Sequence, residues 1–131
     1  MLEISSSQVS FGKYLKARPS DIWRLLTDTS MWPVWGPTVM KVESADRFIR
    51  FGSKGRVKTV AGIWLPFEIT AYKQCSNWSW KVASIKATAH RVTDVSESGC
   101  TLWFDTPILA APYSLACQWA LVRIEKLLPA G

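Results

Sequence analysis

"ARPSDIWRLLTDTSMWPVW", Ala17–Trp35, is the stretch on which the reading of the chain turns. Pro19 stands where a helix can begin, because its missing N–H belongs to a first turn whose donors have no intrahelical partner. Ser20 is placed to cap that helix, and Asp21 suits the positive end of its dipole. Ile22, Leu25 and Leu26 recur at helical spacing. The run is short and stops near Asp28, a residue type that caps the turn after it. "TSMWPVW" predicts a second short helix limited by Pro33. Trp32 and Trp35, three residues apart, share one face of a single turn. A connector with two such rings must cover something.

On the N-terminal side, "VSFGKYLKA" (Val9–Ala17) predicts the first strand, with Val9, Phe11 and Leu15 alternating with polar or small residues. On the C-terminal side the period switches to two. "TVMKVES", "GRVKTV" and "GIWLPFEITAYK" are strands, the last two joined by a tight turn at Ala61-Gly62. In the last, Ile63, Leu65, Phe67, Ile69 and Ala71 fall on one face and Trp64, Pro66, Glu68 and Thr70 on the other, so one face is buried and one wet. Pro66 cannot donate to a ladder, which predicts an edge position or a bulge. "NWSWKVAS" places Trp78, Trp80 and Val82 together. "KATAHRVTDV" does the same for Thr88, His90 and Val92. After a turn at Ser96–Gly99, "CTLWFDTP" aligns Cys100, Leu102 and Phe104. A closing helix from about Tyr113 to Leu128 spans ~24 Å. Its inner stripe is Tyr113, Cys117, Ala120, Leu121, Ile124 and Leu128.

The predicted architecture is α+β: strand, two short helices, about six further antiparallel strands, one long helix. A curved sheet of about seven strands wrapped over one helix leaves a cavity near its middle, with the short helices at one mouth. This order resembles the START-like, helix-grip fold, also called SRPBCC. The chain is most similar there to the polyketide cyclase/dehydrase and lipid-transport family. The likeness is carried by Ala17–Trp35 (Pro and a polar pair, an aromatic, Leu-Leu-x-Asp, then Trp-x-x-Trp) and by "GRVKTVAGIWLPFEIT", "NWSWKVASIKATAH" and the terminal helix in order. It spans nearly the whole chain as one domain, residues 1–131. The resemblance implies a cavity for a hydrophobic small molecule. It implies no reaction and no cofactor, because one fold hosts many activities.

Composition removes several classes. With 131 residues, 48% hydrophobic and 20% charged, the chain reads as a soluble globular domain. The net charge of +6 comes from scattered residues, and Lys54, Arg56 and Lys58 alternate as the solvent side of a strand would, so nucleic acid is not an expected partner. Cys75, Cys100 and Cys117 are far apart, which gives no metal motif and fits a reducing, cytoplasmic setting. The apolar run Pro107–Val122 is short and interrupted, so no membrane span is expected.

Within the expected cavity, the lining is Trp32, Trp35, Phe67, Ile69, Trp78, Trp80, His90, Leu102, Phe104, Tyr113, Cys117, Ala120 and Leu121. Such aromatic walls describe either a filled core or a small-molecule pocket, and the fold resemblance favours the pocket. His90, the only histidine, is the one candidate acid or base, with Tyr72 or Tyr113 to polarise a substrate in an enzyme of the cyclase type. Glu68 and Asp105 fall on outward faces as surface carboxylates, Glu68 suited to a cross-strand pair with Lys or Arg. Trp119 falls off the inner stripe and packs on a sheet edge or forms a patch for a second copy or another protein, so the expected state is a monomer or a homodimer.

Overall fold

In the computed structural model, which describes residues 1–5, 7–107 and 114–128, period-two alternation becomes one nine-stranded antiparallel sheet. The elements are β1 (Leu2–Ile4), β2 (Gln8–Leu15), α1 (Pro19–Thr27), a 3₁₀ turn (Thr29–Met31), α2 (Trp32–Trp35), β3 (Val39–Ser44), β4 (Lys54–Thr59), β5 (Trp64–Lys73), β6 (Asn77–Val82), β7 (Ile85–Lys86), β8 (Ala89–Ser96), β9 (Gly99–Pro107) and α3 (Ser114–Leu127). The strands run β1-β2-β9-β8-β6-β5-β4-β3, with β7 paired to β6. This is the helix-grip arrangement of a curved sheet around a C-terminal helix. It has two strands more than expected, the short β1 and β7. Tyr113 lies outside the described residues, so its predicted place on the inner stripe does too.

Helix α1 begins two residues earlier than a cap at Ser20 would have it. Arg18 occupies the cap position with no side-chain bond, and Pro19 and Ser20 are already in the first turn. Asp21 answers with a bond from the Arg18 guanidinium at 3.1 Å. At the other end Asp28 caps as expected, accepting from the Ser30 N–H at 3.0 Å. It also takes two bonds from Arg47, at 3.1 and 3.0 Å. Burial raises the Asp28 pKa, but the bonds from Arg47 and Ser30 outweigh it and leave the carboxyl below its usual value.

Strand β5 departs from the expected face twice. It is an interior strand between β4 and β6, so Pro66 is not at a sheet edge. Its carbonyl accepts from the Ala83 N–H at 2.8 Å, just past the end of β6. In an antiparallel ladder a residue's N and O point the same way, so the missing N–H faces the point where β6 leaves the sheet. The bulge falls instead between Ile69 and Ala71. It turns Ala71 outward and half-buries Tyr72. Ile63 precedes the strand and is exposed.

The core follows the predicted inward residues: Leu15, Ile22, Leu26, Phe67, Ile69, Trp78, Val92, Cys100, Leu102 and Phe104 meet Cys117, Ala120, Leu121 and Ile124 of α3. The convex face is covered in one place. A Cβ on Gly12 would lie 2.6 Å from the Trp103 ring, so glycine there lets that indole lie flat on β2. Arg91 closes over the same ring at 4.6 Å. Asp105, expected at the surface, points outward but is buried beside them, bonded to Arg91 Nε at 2.8 Å. Glu68 is the exposed carboxylate expected, opposite Lys54 across the β4–β5 ladder.

Candidate functional site

The two tryptophans of α2 meet the centre of the concave face. Helix α1 ends at Thr27, and the carbonyls of its last turn have no partner within the helix. Trp32 Nε1 donates to the Leu26 carbonyl at 2.9 Å and Trp35 Nε1 to the Leu25 carbonyl at 2.8 Å. The Trp-x-x-Trp spacing thus puts two indole donors on consecutive helix-end carbonyls, while the rings reach the sheet. Trp32 stacks on Trp78 at 5.6 Å and meets Phe67 and Trp80 edge-on at 5.4 and 5.2 Å. Trp35 meets His90 at 6.0 Å and Phe104 at 5.8 Å.

These rings leave little room. The pocket they enclose measures about 30 Å³, the space of one or two water molecules. Of the residues named for the cavity, Trp32, Trp35, Trp78, Trp80, His90, Phe104, Cys117 and Ala120 line it, together with Gly36, Pro37, Val39, Thr88 and Ala116. Phe67, Ile69, Leu102 and Leu121 are buried but pack behind this lining.

His90 lies inward, stacked on Trp78 at 4.0 Å and edge-on to Phe104 at 4.7 Å. Burial pushes its pKa down to about 3, against the smaller effect of its bond to the Trp78 backbone. The ring is neutral at physiological pH, and its Nδ1 has no partner. An acid or base works best with a pKa near the working pH and with an orienting partner. The pKa of His90 lies well below that range, and among the described residues no side chain bonds its Nδ1. Tyr72 is not available either: its hydroxyl accepts from Trp23 Nε1 at 3.0 Å and donates to Gln74 Oε1, away from the pocket. Among the described residues no three His, Cys, Asp or Glu side chains gather as a metal site would require.

A larger space adjoins. Helix α3 packs chiefly on β2, β9 and α2, which leaves the concave face of β3–β6 uncovered by it. There a groove of about 390 Å³ is walled by Val39, Val57, Leu65, Trp80, Val82 and Ile85, with Thr38, Thr59, Ala83, Ala87, Thr88 and Pro107 and the exposed Lys86. It shares Val39, Trp80 and Thr88 with the small pocket. Of the expected lining residues that are described, only Trp80 belongs to it. Alternation had turned Leu65 and Val82 inward; how far α3 reaches along the sheet is what the sequence does not encode. On the outer side of α3, Trp119 is 62% exposed beside Leu115 and Val122, with Arg123 over its ring at 5.9 Å.

Solved structures place this architecture in a class. Ms6760 from Mycobacterium smegmatis superposes with a TM-score of 0.69 at 16% identity, over 100% of this chain and 97% of that one. MLL2253 from Mesorhizobium loti gives 0.73 at 15% identity, over 92% and 95%. Ara h 8.0201 gives 0.67 at 10% identity, over 92% and 95%. Likeness at these identities establishes the fold, and the fold is helix-grip. No family model matches the chain, and no curated protein does. Among the described residues no helix is long and apolar enough to cross a membrane.

Proposed function

We propose that this chain is a non-catalytic binding protein for a hydrophobic or aromatic small molecule, of the polyketide cyclase/dehydrase and lipid-transport family that Ala17–Trp35 resembles. The observation that carries the reading is the apolar groove of about 390 Å³ on the concave face, within the range of small-molecule sites. The pocket enclosed by Trp32, Trp35 and the sheet is its inner end, too small for a ligand by itself. Three unpaired cysteines support a reducing, cytoplasmic setting. The neutral His90 weighs against a cyclase-type enzyme.

The test uses the uncharged fluorophore N-phenyl-1-naphthylamine. Ile85 is an exposed groove residue, and Leu65 is half-buried there at the rim of the core. Wild type binds the probe, and the Leu65→Gln/Ile85→Gln variant, shown to be folded by a cooperative melting transition, binds it about tenfold more weakly. Equal binding by both would place the probe elsewhere and remove the reading.

The apolar strip of Leu115, Trp119 and Val122 supports a second reading, a contact with a second copy or another protein through α3. One of the fold neighbours is the Aha1 dimer from Colwellia psychrerythraea, 13% identical with a TM-score of 0.68 over 92% of this chain and 95% of that one.

A further inference from the structure

Six tryptophans of the chain, five buried and Trp80 half-buried, fall into two groups. Trp23, Trp32, Trp35 and Trp103 each donate their indole N–H, to Tyr72, Leu26, Leu25 and Thr93. Trp78 and Trp80 do not: both indole nitrogens are buried without a partner, and so is Nδ1 of His90. A buried indole N–H normally finds an acceptor, because leaving it unpaired forfeits its hydration. A fourth such atom among the described residues, Asp105 Oδ1, belongs to the convex face, whereas these three belong to residues that line the same small pocket at the inner end of the groove.

From this, and resting on the small-molecule reading above, we infer the chemical class of the ligand. It is an apolar, ring-sized molecule carrying an uncharged oxygen acceptor, a ketone or other carbonyl, which enters the small pocket oxygen first while the apolar body lies along Val57, Leu65 and Val82. Trp78 and Trp80 supply the donors. None of the described residues around that pocket is charged, and His90 is neutral. A carboxylate there would lose its hydration with no cation to replace it. Lys86 stands on the groove, not in the inner pocket. The pocket therefore selects a neutral acceptor over an anion.

Three probes of one shape separate the possibilities: 2-acetylnaphthalene, its carbon analogue 2-isopropenylnaphthalene, and 2-naphthoate. Affinities are measured by fluorescence titration at pH 7, and indole N–H signals are followed by 1H–15N NMR. The ketone binds at least tenfold tighter than the alkene and than the carboxylate, since a site with donors left over rejects the analogue that cannot fill them. It shifts two buried indole signals that the alkene leaves in place. Trp80→Phe keeps a ring and loses the donor, so the preference for the ketone shrinks while alkene affinity holds. If that variant does not fold, the indole shifts of the wild type decide between ketone and alkene on their own. Equal affinity of ketone and alkene overturns this inference and leaves the small-molecule reading standing. A tighter carboxylate overturns the neutral class. Failure of all three to bind removes both.

Discussion

An imidazole clamped between Trp78 and Phe104 cannot take up a proton without forgoing the hydration that the cation needs, and this makes His90 a stability switch. Unfolded, its pKa is about 6.5; folded, it is about 3. Between those values the unfolded chain holds the proton and the native chain does not. Stability therefore falls as pH drops through that window, by up to about 1.4 kcal/mol per pH unit. Denaturant unfolding at pH 7 and pH 4.5 should show wild type losing about 2–3 kcal/mol more than His90→Phe, whose ring does not titrate. Parallel losses would mean that His90 is hydrated in the native state. The inward direction of His90 was legible from its alternation with Thr88 and Val92. Its proton affinity was not, because that depends on Trp78 and Phe104, brought opposite it by cross-strand register. Asp105 is a parallel case. Its parity was right and its burial was not, because Trp103 and Arg91 cover the convex face there.

Helix α2 has only four residues and no propensity-based reason to persist in water. It is held by what its tryptophans do: two indole donors on the end of α1, two rings in the aromatic cluster. Trp32→Ala should cost about 3–5 kcal/mol of unfolding free energy, the range for a buried aromatic truncation. Val34→Ala, on the exposed side of the same helix, should stay within about 0.5 kcal/mol. Denaturant midpoints measure both, and equal effects would show that the ring packing does not hold the element. The motif was readable as a plug over the interior, since three-residue spacing gives a shared face. The hydrogen bonds to Leu25 and Leu26 were not, because they depend on where α1 stops. Strand β5 was readable up to Ile69. The bulge after it has no signature in "ITAYK", and it turns Tyr72 inward to accept from Trp23.

At the scale of the molecule, one helix cannot cover a nine-stranded sheet. Helix α3 covers the β2–β9 half, the aromatic cluster fills the middle, and the concave face of β3–β6 is left to the groove. Element order alone pointed to the helix-grip fold, because an antiparallel meander with one long apolar helix has few ways to bury both. It pointed to a cavity in the middle as well. There Trp32, Trp35, Trp78 and Trp80 act as filling, and the usable space is displaced toward Val57, Leu65 and Val82. The central claim is that an apolar molecule occupies that displaced groove. Native mass spectrometry of the chain, alone and with added 2-acetylnaphthalene, tests it most directly, and the mass of the assembly also reports monomer or dimer. A one-to-one complex with the chain is expected, and it is lost in Leu65→Gln/Ile85→Gln. A spectrum showing only the bare chain under both conditions, or the same complex in the groove variant, would contradict it.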